Sequence, residues 1–193
     1  DAAASQVLRW MFQSLLDIDY ETLEHRPVLA RHLPDVSEDH LTYTFALRDD
    51  VTFADGTPMT AEDVLFTAKV IRNRKVAAPH IRNYYDSVRE VVAVDPYTVR
   101  FELREPYFRN EWTLGSLDVL PRHYYDPDDL LAGIGVAELN AWDDLDPEKK
   151  QRAERFAKQF NEGFQRRPMG SGAYVLADAE GNEVQTLIEQ AEA

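Results

Sequence analysis

The chain has no cysteine. That absence excludes disulfide scaffolds, thiolate metal sites and a cysteine nucleophile, and it leaves packing as the source of stability. Long apolar runs are missing too: nothing approaches the roughly 18 residues that a membrane-crossing helix requires. No basic segment followed by an apolar one opens the chain, so no signal peptide is visible, a feature that a processed secretory protein shares. Positive charge is in short supply, with 21 lysines and arginines against 35 acids and a formal charge of −14. Such a field repels phosphate backbones and argues against a nucleic-acid partner.

Catalytic signatures are equally scarce. There is no Gly-x-Ser-x-Gly elbow and no phosphate-binding glycine loop, so the chain does not read as an enzyme. Gly170-Ser171-Gly172 is glycine-flanked but lies in a turn that leads into a strand. The histidines at 25, 32, 40, 80 and 123 share no ligand spacing, which predicts neither a metal site nor a cofactor. The acidic runs Asp126-Pro127-Asp128-Asp129 and Asp143-Asp144 do not follow a calcium-loop pattern and read as solvated.

What is present is a globular chain. A hydrophobic share of 44% with 11% aromatics is too rich for disorder. Its 193 residues suffice for one large domain, or one domain and part of another. Val7, Leu8, Met11, Phe12, Leu15 and Leu16 recur at helical spacing and predict a helix over about residues 4–16. Leu41, Tyr43, Phe45 and Leu47 alternate with polar or small residues and predict a half-buried strand. Thr60 then caps a helix whose buried stripe is Val64, Leu65, Ala68 and Ile71.

Val88 to Val94 and Tyr97 to Leu103 predict an antiparallel hairpin around Asp95-Pro96. From Tyr125 the composition turns acidic and loop-like. Asp146-Pro147-Glu148 starts a helix over about 147–164, with Phe156, Phe160 and Phe164 on one face. Ala173 to Leu176 reads as a strand, Gly181-Asn182 as a turn, and Val184, Thr186 and Ile188 as a returning strand. Strands and helices mix without regular alternation, which predicts an α+β fold with a largely antiparallel sheet and packed helices.

One stretch is specific. Tyr43-Thr44-Phe45-Ala46-Leu47-Arg48, followed by Phe53, Asp55, Gly56, Thr57, Pro58, Thr60, Ala61, Glu62, Asp63 and Val64, resembles the signature of the family 5 extracellular solute-binding proteins. These serve ABC importers of oligopeptides, dipeptides and nickel. Ala54 departs from the pattern, standing where many members carry histidine. Further resemblances follow in order: Phe12 to Leu16, Pro27 to Ala30, Asp95 to Phe101, Leu120-Pro121-Arg122-His123, and Gly170 to Tyr174. Physically the signature is a strand, a turn and a capped helix, so its residues are expected to build shape rather than to bind.

The resemblance implies a type II, cluster C periplasmic-binding-protein-like fold. It implies a truncated fragment: residues 1–19 a remnant of the first lobe, 20–168 the small middle domain, and 169–193 a remnant strand hairpin of the first lobe. The whole protein is expected to be a monomer outside the cytoplasmic membrane, periplasmic or extracellular and membrane-associated. It is expected to bind a peptide or another small-molecule solute and to dock on an ABC importer permease. Asp1, Ala2 and Ala3 stand just before the first helix and are the candidates nearest the ligand cleft; a cut terminus explains them equally. Tyr84, Tyr85, Trp112, Tyr124 and Tyr125 are either ligand platforms or packing residues. The alternative function is a partner-binding or sensor module of a related receptor.

Overall fold

The structure, a computed structural model, describes residues 10–163 and 168–174. Asp1, Ala2 and Ala3, the start of the first expected helix, Phe164, and the strand and turn expected beyond Tyr174 lie outside the described residues.

The chain is helical at Trp10-Met11 and extended by Ser14, which bridges Asp118. Strand β1 (Leu16–Ile18) then pairs antiparallel with β2 (His25–Pro27), Leu16 opposite Pro27. The helix expected to run to residue 16 therefore stops short. The Leu15 carbonyl accepts the N–H groups of Val28 and Ala30, both at 3.1 Å, and is not available to a helix. Tertiary pairing overrides the local spacing here. The buried positions Met11, Leu15 and Leu16 satisfy either reading, which is why spacing alone misleads.

Among the described residues the main sheet has four antiparallel strands: β3 (Asp35–Val36), β4 (Thr42–Ala46), β5 (Val88–Asp95) and β6 (Thr98–Leu103), in the order β3-β4-β6-β5. Tyr43 and Phe45 of β4 face the core while their neighbours are half-buried, the period of two that the sequence displays. Phe45 meets Phe101 of β6 edge to face, with ring centroids 5.7 Å apart. The β5–β6 hairpin closes as expected around Asp95-Pro96, where the Asp95 carboxylate accepts the Tyr97 N–H at 2.8 Å.

Helix α1 (Ala61–Arg72) packs on this sheet through Ala61, Val64 and Ala68. The expected stripe needs correction, because Leu65 and Ile71 are only half-buried while Phe66 and Val70 are fully covered. The cause is a second core on the other side of α1. Short helices α2 (Pro79–Tyr84) and α3 (Asn110–Gly115) follow the first helix and the sheet. Then α4 (Arg122–Tyr125), α5 (Val136–Asn140), a 3-10 turn (Trp142–Asp144) and α6 (Pro147–Gly163) enclose Phe66, Val70, Leu131, Trp142 and Phe156.

The segment after Tyr125, read as loop, is thus a packed helical unit. Asp126, read as solvated, is buried: its carboxylate accepts the N–H groups of Leu130 at 2.7 Å and Leu131 at 2.9 Å. One carboxylate that accepts two backbone N–H groups anchors this segment, a pattern that composition hides. Helix α6 starts at Pro147 as expected and is described to Gly163, with Phe156 buried and stacked on Phe160. The architecture is α+β, with an antiparallel sheet and helices packed on it.

Candidate functional site

The signature builds a knot. The chain turns at Gly56, whose φ of 84° lies where side chains are strained. The Asp55 carboxylate accepts the Thr57 N–H at 3.0 Å, and Thr52 bridges Pro58 across the turn. Thr60 and Asp63 form a capping box at the start of α1, with the Thr60 N–H donating to Asp63 Oδ2 at 2.8 Å. Ala61 donates its N–H to the Pro96 carbonyl at 2.8 Å, which fixes the helix start to the β5–β6 turn. Glu62 is exposed, and Val64 is sealed in the main core.

Other motifs close on the same knot. The Arg122 N–H donates to Asp63 Oδ1 at 2.9 Å, and the Leu120 N–H to Thr67 Oγ1 at 2.9 Å. His123 Nε2 lies 2.6 Å from Asp55 Oδ2, with its ring 5.8 Å from that of the buried Phe53. Burial alone raises the Asp55 carboxyl, but the Thr57 N–H and the His123 ring outweigh it and hold Asp55 below the ordinary carboxylate range. The Ala54 N–H donates to the Gly170 carbonyl at 3.1 Å. None of the signature residues from Phe53 to Val64 lines the groove beside β1.

That groove, of about 820 Å³, lies between the chain entry, the β1–β2 hairpin and α3. Trp10, Tyr20 and Trp112 give it aromatic faces, exposed by 65%, 72% and 41%. Its polar groups come in pairs. Arg26 Nη2 is 2.8 Å from Asp17 Oδ2, and His25 Nδ1 is 2.7 Å from Glu111 Oε1. The His25 ring also stacks on Trp112 at 5.8 Å and 23°. Trp10 meets Tyr174 edge to face at 6.0 Å, so residues from both ends of the described chain meet beside the groove.

The five aromatic candidates separate. Trp112 lines the groove and Tyr84 is exposed elsewhere. Tyr85 and Tyr125 are packing residues. The Tyr85 hydroxyl donates to the Thr113 carbonyl at 2.9 Å, and burial raises its pKa well above the ordinary value. Tyr125 donates to the Met169 carbonyl and accepts the Met169 N–H, and burial pushes it up to about 12. Tyr124 is half-buried against Tyr125. Sequence reasoning missed Trp10, Tyr20, His25 and Asp118 as groove residues, because three separate segments supply them and no local pattern marks them. Among the described residues no cluster of histidine or carboxylate side chains is arranged to hold a metal, and no helix is long and apolar enough to cross a membrane.

Fold and motif knot together define a solute-binding protein. The chain belongs to the bacterial extracellular solute-binding proteins, family 5, whose Middle model matches residues 24–190. The family is one of extracellular, periplasmic binding proteins for ABC transport, not of enzymes. Protein XP55 of Streptomyces lividans is 42% identical over 97 residues, 50% of this chain and 17% of that protein. The glutathione-binding protein GsiB of Escherichia coli K12 is 28% identical over 155 residues, 76% of this chain and 29% of that protein. The chain therefore spans between 17% and 29% of the length of these curated relatives. The oligopeptide-binding protein AppA of Bacillus subtilis, solved with a nonapeptide, superposes with a TM-score of 0.67 at 21% identity, over 100% of this chain and 33% of AppA. The shared fold is the type II periplasmic-binding-protein fold.

Proposed function

We propose that this chain is part of a protein that captures a peptide or similarly small polar solute outside the cytoplasmic membrane and presents it to an ABC importer permease. The match to the family over residues 24–190 carries this reading. The name of GsiB and the peptide bound to AppA favour peptides as the solute class. In this reading two lobes close on the solute, and ligand binding favours the closed state. The parent protein works as a membrane-associated monomer.

The groove beside β1 is this chain's share of the solute cavity. Aromatic faces suit apolar side chains, and the Arg26–Asp17 and His25–Glu111 pairs suit charged ends and amides. We assign residues 1–19 and 169–193 to the first lobe and residues 20–168 to the middle domain. Two contacts support grouping the outer segments: the Gly172 N–H donates to the Met11 carbonyl at 2.9 Å, and Trp10 meets Tyr174. The β1–β2 hairpin spans the division at Tyr20, so the two parts share strand pairing.

Titration of the parent protein and its Trp112→Ala variant with glutathione and short peptides tests the groove. Affinity falls about tenfold if Trp112 is a wall of the cavity. Equal affinity removes the groove from the account.

A second reading, a partner-binding module, has one observation in its favour. Tyr107 and Phe108 lie against one another at 4.6 Å while 51% and 86% exposed, outside the groove. Adjacent exposed rings add contiguous apolar surface, the kind of surface from which contact sites are built when the patch is large. A pull-down that yields a stable complex without permease, lost in Phe108→Ser, supports it.

A further inference from the structure

A second cleft, of about 460 Å³, opens where α1 ends, and it shares no lining residue with the groove. Three guanidinium groups line it: Arg72 and Arg74 at the end of α1, and Arg82 of α2. Arg82 is anchored by backbone carbonyls. Its Nε donates to Ile71 at 3.1 Å, and its Nη2 to Asn73 at 3.0 Å and Val76 at 2.5 Å. Arg72, only 9% exposed, donates from Nε to Asn140 Oδ1 at 2.5 Å. Its Nη1 donates to the Arg82 carbonyl at 3.0 Å and to Asp86 Oδ1 at 2.7 Å.

Each of these two guanidinium groups therefore keeps one terminal nitrogen unused. Among the described residues Arg72 Nη2 and Arg82 Nη1 make no hydrogen bond, yet neither is sealed from solvent. Both nitrogens belong to residues that line the cleft. Arg74 is loosely held: its Nη1 is 3.2 Å from both oxygens of Asp143, a side chain 84% exposed. Like charges crowd here. Burial first, then Arg72 and Arg74, hold Arg82 below the ordinary guanidinium value.

The rest of the lining selects among anions. Leu139 and Trp142 supply a buried apolar side, and Asp143 and Asp144 stand at the rim. Of the three, Arg74 alone keeps a two-nitrogen edge, Nε and Nη2, without a hydrogen bond among the described residues, and such an edge pairs in plane with a carboxylate through two parallel bonds. The rim acids repel a polyanion, and the apolar side rewards a hydrocarbon body. We propose that the Arg72–Arg74–Arg82 cleft binds a single carboxylate borne on a short apolar group. This site is independent of the solute reading, since it uses none of the groove.

The test follows the Trp142 indole and arginine Nε resonances of the 193-residue chain at constant ionic strength. Benzoate is the probe, with benzamide and sulfate as comparisons. Saturable shifts with benzoate, weaker by about tenfold in Arg74→Gln, are expected. Benzamide and sulfate are expected to shift the same resonances less. Acetyl-Ala-Leu run alongside separates the sources of the carboxylate: tighter binding than benzoate assigns a peptide C terminus, and equal or weaker binding a free acid. No saturable shift with benzoate overturns the proposal. So does benzamide or sulfate binding as well as benzoate, or an Arg74→Gln variant that binds benzoate unchanged.

Discussion

The buried carboxylate of Asp63 accepts the backbone N–H of Arg122 at 2.9 Å, and its other oxygen accepts the N–H of Thr60 at 2.8 Å. One side chain thus joins the start of α1 to a segment 59 residues further on. Asp63→Ala strands both donors, and unmade buried hydrogen bonds cost about 1–3 kcal/mol each. A loss of about 3 kcal/mol is expected, measured by urea unfolding. Asp63→Asn retains one acceptor and loses less. A change below about 0.5 kcal/mol for Asp63→Ala, the range of ordinary surface substitutions, contradicts the knot.

Gly170 and Gly172 owe their identity to close approach. A β-carbon on Gly170 collides with the Met11 carbonyl, and one on Gly172 with the Trp10 carbonyl. Alanine at either position forces the backbones apart, at an expected cost of about 1–3 kcal/mol. Gly163→Ala meets nothing within 4 Å and serves as the control. Thermal unfolding of the three variants separates the cases: equal midpoints contradict the contact between residues 170–172 and the chain entry.

Acid sensitivity follows from Asp55. Its folded pKa lies below the ordinary 3.8, so the fold favours the ionised form. That stabilisation is present above the unfolded value and is lost as pH falls through the lower folded value. The advantage of the native chain over Asp55→Asn is therefore expected to be full at about pH 5 and to shrink steadily below 3.8. Melting temperatures of both proteins across that range check it; an advantage that grows on acidification contradicts the contact with His123.

The second core makes its own prediction. Phe156 is fully buried and meets Phe66 of α1 edge to face at 5.8 Å. Phe156→Ala is expected to cost about 3–5 kcal/mol, the range for a large aromatic removed from a packed core. Equilibrium unfolding measures it, and a cost below about 1 kcal/mol means that the helices after Tyr125 do not cover α1.

These residues also show where the sequence is legible. The β4 alternation, the β5–β6 hairpin, α1 and α6 are plain because each repeats a period over many residues. Residues 126–146 are not, because short helices held by single side chains carry no period: Asp126 clasps two amides, and Glu90 on β5 accepts the N–H of Val136 at 3.0 Å to start α5. Leu15 and Leu16 mislead because two adjacent buried leucines fit helix and strand alike. The signature names the family, yet its side chains are spent on the knot. The groove is illegible because Trp10, Tyr20, Trp112 and Asp118 meet only after folding.

As proposed, solute capture belongs to the parent protein, and this chain contributes one wall of the cavity. Calorimetric titration of the parent protein and of the 193-residue chain against the same peptide library, glutathione included, tests that most directly. Saturable binding by the parent, weaker by at least about a hundredfold in the chain alone, is the expected result. Binding by the chain as tight as by the parent, or no binding of any member by the parent, contradicts the account.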